Sequence, residues 1–293
     1  ENCVYGSTKH EVDVYVKVLT DSPCLVCMDW ARSQEELIDP KYLWTGPDGK
    51  NLKGHKDVNL TDTGQLVVIG VKESLSGTYT CTLSHNILET TPPEERETVE
   101  VYKFVLYAYR AADHTYLLSV RFPTRECGLA AKSHFLEELK KLLNSIIADL
   151  TCHIAEASCR CHSVQTPQRG LRRELFLRFQ VNPFAPGWEE VCHQVPYDCE
   201  AVRNKRAQEA KARLGKFFRE QAYALKHQLQ TAPTIHYVDN SFAAARTDSC
   251  PPGFGKNNVI HQSCASCCVV CEPGTYSPDT GVTCQVCKRP RVR

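Results

Sequence analysis

The sequence is short of methionine, of net charge and of long apolar runs, and each shortage excludes something. A single methionine stands among 293 residues, so the core cannot lean on adaptable thioethers and must use branched aliphatics, leucine and aromatics. Lys plus Arg number 35 and Asp plus Glu 34, a net charge of +1. That balance excludes a globally basic nucleic-acid binder and an acidic solvating tail. The longest apolar runs fall far short of the ~18 residues that read as a transmembrane helix, so no membrane span is expected. There is no Gly-x-Ser-x-Gly, no His-Glu-x-x-His and no phosphate-cradling glycine loop with its lysine, and the eleven histidines are scattered. Neither an enzyme nor a cofactor or metal site is therefore expected. The chain opens Glu1-Asn2-Cys3 without a basic-then-apolar leader, as a secreted protein does once its signal has been removed.

What is abundant is cysteine, 17 residues of it, within an otherwise ordinary composition of 42% hydrophobic and 24% charged residues. Thiols at this density make sense as disulfides in an oxidising compartment. The sequon Asn59-Leu60-Thr61 fits the same compartment and makes Asn59 a glycosylation candidate. The odd count leaves at least one sulfur without a partner inside the chain.

The cysteines fall into three groups, which suggest an immunoglobulin-like domain at 1–103, an α+β domain at 104–248 and an EGF-like cysteine module at 249–293. In the first, Val12 to Lys17 alternates with the period of a half-buried strand. Cys27, Trp44 and Cys81 have the order of an inter-sheet disulfide with its buried tryptophan, and Tyr79, two residues before Cys81, has the spacing of a tyrosine corner. A Cys27–Cys81 bridge would close a loop of about 55 residues, a stabilisation of ~4 kcal/mol in the chain-entropy model. Cys24 competes with Cys27 but breaks alternation with Leu25, which leaves Cys3 and Cys24 as another possible pair. The polar, proline-interrupted stretch 90–97 reads as a loop between groups.

In the middle, residues 116–122 read as a strand and 131–150 as a helix carrying Phe135, Leu139, Leu142, Leu143, Ile146 and Leu150 at helical spacing. Weaker and stronger strands follow near 152–163 and 175–181, then a helix at 200–230 and a short strand at 235–238. The order β-α-β-β-α-β predicts a ferredoxin-like, split-βαβ layer, the alternative being an irregular α+β plate. The remaining cysteines, Cys127, Cys152, Cys161, Cys192, Cys199, Cys250, Cys264, Cys267, Cys268, Cys271, Cys284 and Cys287, are expected in bridges. The tail has too few apolar side chains for a core, so cross-links must shape it.

Cys268-x-x-Cys271 and Cys284-x-x-Cys287 have zinc-ribbon-like spacing, and the Cys-x-x-Cys pairs resemble redox motifs, but an oxidising compartment and the lack of a thioredoxin-like strand-to-helix start favour structural disulfides. His162 beside Cys161 reads as a loop side chain, and His236 as a packed or edge histidine. Arg169, Arg172, Arg173 and Arg178 flank a strand, and Lys288-Arg289-Pro290-Arg291-Val292-Arg293 has no acidic neighbour. Arg169, Arg172, Arg173, Lys288 and Arg289 are therefore the candidate contacts for an anionic glycan. Lys205, Arg206, Lys211 and Arg213 interleave with Glu200, Glu209 and Glu220 and read as a solvated face.

Several segments are specific enough to carry a resemblance: Tyr42-Leu43-Trp44-Thr45-Gly46-Pro47, Leu75 to Cys81, Tyr107-Ala108-Tyr109-Arg110, Glu174-Leu175-Phe176, Asn182 to Trp188, and the double-cysteine block Cys264 to Cys271. On these the chain resembles the zona pellucida-binding protein (Sp38) family, from about Glu11 to Cys287. The resemblance implies a secreted sperm protein of the acrosome that binds zona pellucida glycoproteins and serves in acrosome formation and fertilisation, with acrosomal matrix proteins as further partners. Cys24 and Cys159 look like additions to the family's usual cysteines. Because bridges rather than metal are expected to hold the fold, reduction and alkylation should lower the melting temperature and alter the circular dichroism, whereas a chelator should change neither. A chelator-induced loss of structure would reverse the assignment.

Overall fold

Alternating apolar residues and glycine turns account for most of the strands in the computed structural model, which describes residues 2–90, 93–124, 128–168, 170–192, 198–220, 241–277 and 282–287. In chain order the strands are β1 (Cys3–Tyr5), β2 (Val12–Lys17), β3 (Cys24–Val26), β4 (Ile38–Thr45), β5 (Val58–Leu60), β6 (Gln65–Val68), β7 (Gly77–Thr90), β8 (Pro93–Arg110), β9 (Asp113–Thr124), β10 (His153–Thr166), β11 (Gly170–Asn182), β12 (Ala243–Ser249), β13 (Phe254–Gly255), β14 (Cys268–Val270), β15 (Thr275–Tyr276) and β16 (Gln285–Val286). The helices are α1 (Trp30–Ser33), α2 (Leu129–Ile147) and α3 (Glu200–Glu220). The chain forms two compact units, one of Glu1–Arg110, Pro196–Asp198 and Asn257–Val270, the other of Ala111–Val195, Cys199–Lys256 and Cys271–Arg293.

The first unit is an immunoglobulin-like sandwich. One sheet has the order β1-β3-β6-β5. The other carries β4 and β8 on either side of β7, with β2 parallel to β8 along its far edge and β14 antiparallel to β8 at Tyr109 and Arg110. Cys27 and Cys81 are bonded between the sheets, their Cα atoms 5.8 Å apart. Trp44 is buried beside them, its ring 5.6 Å from that of Phe104 and its indole N–H donating to the Gly64 carbonyl at 3.0 Å. A buried Trp needs such an acceptor. The Tyr79 hydroxyl donates to the Leu75 carbonyl at 2.6 Å, closing the corner, and burial pushes its pKa up to about 12. Pro40, which cannot donate to a ladder, is tolerated because β4 is an edge strand.

Two sequence boundaries move. Thr90 and Pro93 to Glu97 are not an interdomain loop but ladder residues of β7 and β8, with Thr90 opposite Pro93 and Asn86 opposite Glu97; residues 91–92 lie outside the described residues. The first unit also runs past residue 103, because β8 keeps its period of two: Tyr102, Phe104, Leu106 and Ala108 are all buried.

The second unit is an antiparallel sheet of order β10-β11-β9-β12 with α2 and α3 packed on one face. Phe135, Leu139, Leu143 and Ile147 from α2, and Ala207, Ala210, Leu214, Phe217 and Phe218 from α3, meet Leu118, Val120, Phe122, Leu175, Leu177 and Phe179 of the strands. Phe122 sits between Phe135 and Phe218, with ring centroids 5.8 and 6.0 Å away. The expected strand at 235–238, with His236, lies outside the described residues. The described edge strand is β12, whose alanine-rich, exposed sequence gives no strand signal. Near the start of α3, Arg203 and Asp113 form an ion pair with 2% and 0% side-chain exposure, Nε donating to Oδ2 at 2.6 Å and Nη2 to Oδ1 at 3.3 Å. The Arg203 guanidinium also lies 5.5 Å from the Trp188 ring centre.

Further bridges join Cys192 to Cys199, Cys264 to Cys267 and Cys271 to Cys284. Cys161, Cys250 and Cys268 are also bridged. Cys127 lies outside the described residues. Two cysteines expected in bridges are thiols instead. Cys152 is packed into the core below α2, its Sγ 3.5 Å from the Leu150 carbonyl. Cys287 is exposed, and Cys284, the nearer member of its Cys-x-x-Cys, is already committed to Cys271. Cys3, aligned with Cys24 across β1 and β3, is likewise a thiol. Among the described residues no group of His, Cys, Asp and Glu is arranged to hold a metal ion.

Two predictions follow from this packing. Asp113→Ala should cost about 3–5 kcal/mol in denaturant titrations, because it leaves Arg203 charged and buried without its carboxylate; the paired replacement Asp113→Leu with Arg203→Met should cost less than the single change. Burial pushes the Cys152 thiol up to about 12, so native protein treated with iodoacetamide at pH 8 should be modified at Cys287 and spared at Cys152 until unfolded. Since the native pKa is the higher one, the Cys152 contribution to stability should be complete below about pH 8.5, the free-thiol value, and lost as pH rises towards 12.

Candidate functional site

The face of the second unit's sheet opposite the helices is built from the alternate residues of its strands. With Leu175, Leu177 and Phe179 turned into the core, Arg172, Glu174, Phe176, Arg178 and Gln180 of β11 point the other way. The register then sets rows across the sheet. Phe176 is opposite Arg160 of β10 and Arg121 of β9, Arg178 is opposite Ser158 and Ser119, and Gln180 is opposite Glu156 and Leu117. Glu174 lies opposite His162 and Pro123, and Arg172 opposite Val164. Directly opposite residues sit with Cβ atoms roughly 5 Å apart, so each row is a line of side-chain contacts.

Phe176 is therefore an aromatic ring flanked on both sides by arginines. The His162 ring stands edge-on to it at 6.1 Å. His162 is thus not a loop residue but part of β10, exposed on this face. Arg121 donates to Glu174, in the adjacent row, at 3.3 Å. Arg160, Arg172 and Arg178 are exposed and make no ion pair among the described residues. A shallow concavity of about 250 Å³ is lined by Leu117, Glu156, Ser158, Arg178, Phe179 and Gln180. Chemically, the face offers an apolar ring on which a flat C–H surface can stack, and guanidinium forks whose geometry matches sulfate or carboxylate.

Sequence reading found part of this. Arg172 lies on the face. Arg173, one residue on, is exposed but alternates to the other side of β11. Arg169, Lys288 and Arg289 lie outside the described residues. Arg121 and Arg160 went unrecognised because each is a lone cation in its own strand; only the register joins them to Phe176. The signal that could have found them is alternation, since Arg121 sits between Val120 and Phe122, and Arg160 between Cys159 and Cys161.

The first unit has its own opening, a groove of about 720 Å³ between β4 and the loops around β5. Tyr42, Trp44, Leu52, Val58 and Leu60 contribute to its lining, with Lys41, Lys53, His55 and Asp62 at the polar positions. Gly64, at φ +79°, shapes one wall: a Cβ there would stand 2.3 Å from the Tyr42 ring. Asn59 is exposed on β5, opposite Val67.

Residues 11–110 match the N-terminal Ig domain, and residues 250–292 the C-terminal EGF-like domain, of the zona-pellucida-binding protein (Sp38). Zona pellucida-binding protein 2 of Gallus gallus is 58% identical over 98% of this chain and 82% of its own length. The Rattus norvegicus protein of the same name is 48% identical over 98% of this chain and 88% of its own. Zona pellucida-binding protein 1 of Gallus gallus is 31% identical over 97% and 86%. With near-complete coverage at such identity, and both terminal domains matched, this chain belongs to the zona pellucida-binding protein (Sp38) family.

Proposed function

We propose that this chain is a secreted, acrosomal sperm protein that binds zona pellucida glycoproteins through anionic glycans, and that it acts by recognition rather than turnover. The observation that carries the reading is the Phe176 platform with Arg121, Arg160 and Arg178 around it, in a chain whose relatives are named for binding the zona pellucida. A sugar ring would stack on Phe176, and its sulfate or carboxylate would take the arginine forks. Arg172 extends the same face; Arg173, Arg169, Lys288 and Arg289 would add longer-range attraction, and Asn59 would carry this protein's own glycan. Single contacts of this kind are weak, and display of many copies raises the avidity. Contributions to acrosome formation and fertilisation belong to the same reading.

The strand order β10-β11-β9-β12 around two helices supports a ferredoxin-like assignment for the middle layer, between an immunoglobulin-like head and an EGF-like tail. A second reading, organisation of the acrosomal matrix through protein contacts, is favoured by the exposed thiol of Cys287, which can bridge to a neighbouring molecule.

The test is binding of purified protein to immobilised zona glycoproteins across a salt series. Affinity should fall steadily with salt, as screened charge requires. Phe176→Ala and the pair Arg160→Ala with Arg178→Ala should each weaken binding by about tenfold or more, the scale of one lost charge-assisted contact, while Lys72→Ala should not. Salt-insensitive binding, or full affinity in the Phe176 and arginine variants, would remove this face from the mechanism. Desulfation or desialylation of the zona preparation identifies the anion.

A further inference from the structure

The outer face of the β4–β7–β8 sheet carries a second pattern, separate from the glycan face. Its rows run Leu43, Thr82, Val101 and Lys41, Ser84, Val99, bounded by Thr45, Thr80, Lys103 on one side and Ile38, Asn86, Glu97 on the other. Leu43, Val99 and Val101 are 47%, 56% and 45% exposed, and Lys41, Glu97 and Lys103 are exposed as well. Val99 and Val101 lie open next to each other along β8, with Leu43 across Thr82 on β4, and charged residues stand at the margins; such a cluster has the composition of an interface centre rather than of scattered surface residues.

The charges decide what fits there. Along the outward side of β8 the order is Glu97, Val99, Val101, Lys103. Reversing the strand about its midpoint brings position 97 over 103 and 99 over 101. A second copy turned by a two-fold axis lying in the interface, perpendicular to β8, therefore sets Glu97 against Lys103 twice and stacks Val99 on Val101. The neighbouring strand obeys the same operation, with Thr82 over Ser84. An isologous contact demands this kind of self-complementarity, and a like-charge arrangement would have forbidden it. Asn59 is on β5, in the other sheet, so a glycan there leaves this face clear.

We propose that this sheet face is a self-docking surface and that the protein forms a two-fold dimer through it. The dimer doubles the number of glycan faces presented per particle, but it does not rest on the glycan reading and can be tested without any zona material. The experiment is sedimentation velocity of the full chain, its free thiols first blocked with iodoacetamide so that disulfide-linked pairs do not count, over a concentration series. Wild type should pass from monomer to dimer. Glu97→Lys and Lys103→Glu should each raise the dissociation constant by about tenfold or more, since each places like charges together at two symmetric positions. The double variant Glu97→Lys with Lys103→Glu should restore wild-type association. Val99→Thr with Val101→Thr, which preserves strand propensity, should weaken it without moving the melting temperature. A protein monomeric at every concentration, single charge variants that dimerise as tightly as wild type, or a double variant that stays monomeric would each overturn the proposal.

Discussion

A constraint of chain direction governs the second unit. β9 and β10 are parallel but separated by β11, and β11 and β12 are parallel but separated by β9, so each connection must cross over a strand. Crossovers take one hand in almost all proteins, and two of the same hand in this order put both helices on the same side. α2 and α3 are found together there, sharing one core. The consequence is a sheet with one dry face and one wet face, and the wet face is where Phe176 and its arginines stand. The candidate site therefore depends on topology more than on any single contact.

The buried Arg203–Asp113 pair serves that topology. It joins α3 to the first residue of β9, the strand at which the neighbours on both sides meet. Such a pair adds little to stability beyond what apolar residues of equal volume would give. What it adds is register, because Asp113 accepts both forks only when helix and strand are correctly aligned. The bridge from Cys192 to Cys199 ends at the residue before α3 begins, so the same helix end is restrained covalently as well.

Legibility in the sequence followed the reach of each interaction. The sandwich was readable because Cys27, Trp44, Tyr79 and Cys81 are tied to one another by fixed spacing and alternation. α2 and the described part of α3 were readable from their apolar stripes, the expected continuation of α3 over 221–230 lying outside the described residues, although the observed α3 contact uses Ala207, Ala210 and Phe217, small or adjacent residues that a stripe of large ones does not pick out. β12 was invisible, since Ala243 to Ser249 has no aromatic residue and only Thr247 as a β-branched one, and is held by its ladder to β9. Pro93 to Glu97 read as a loop because proline and glutamate look like one; on a stretch where β8 pairs with β7 alone they cost little. The arginine-flanked ring was illegible for a different reason: its members are spread over three strands, and pairing register cannot be read from any one of them.

The parallel union of β2 with β8, Val12 beside Phe104 and Val16 beside Ala108, bears on how the molecule comes into being. A ribosome adds about 5–20 residues per second, so β2 emerges seconds before the strand it must join exists. Until then its valines have no ladder and its neighbours Cys3, Cys24 and Cys27 have no enclosing core. The hairpin of β10 and β11, by contrast, closes on itself as soon as it is made. The strands that precede β8, although translated ahead of it, are thus bound to remain an open sandwich until β8 has followed, and that interval must be sheltered.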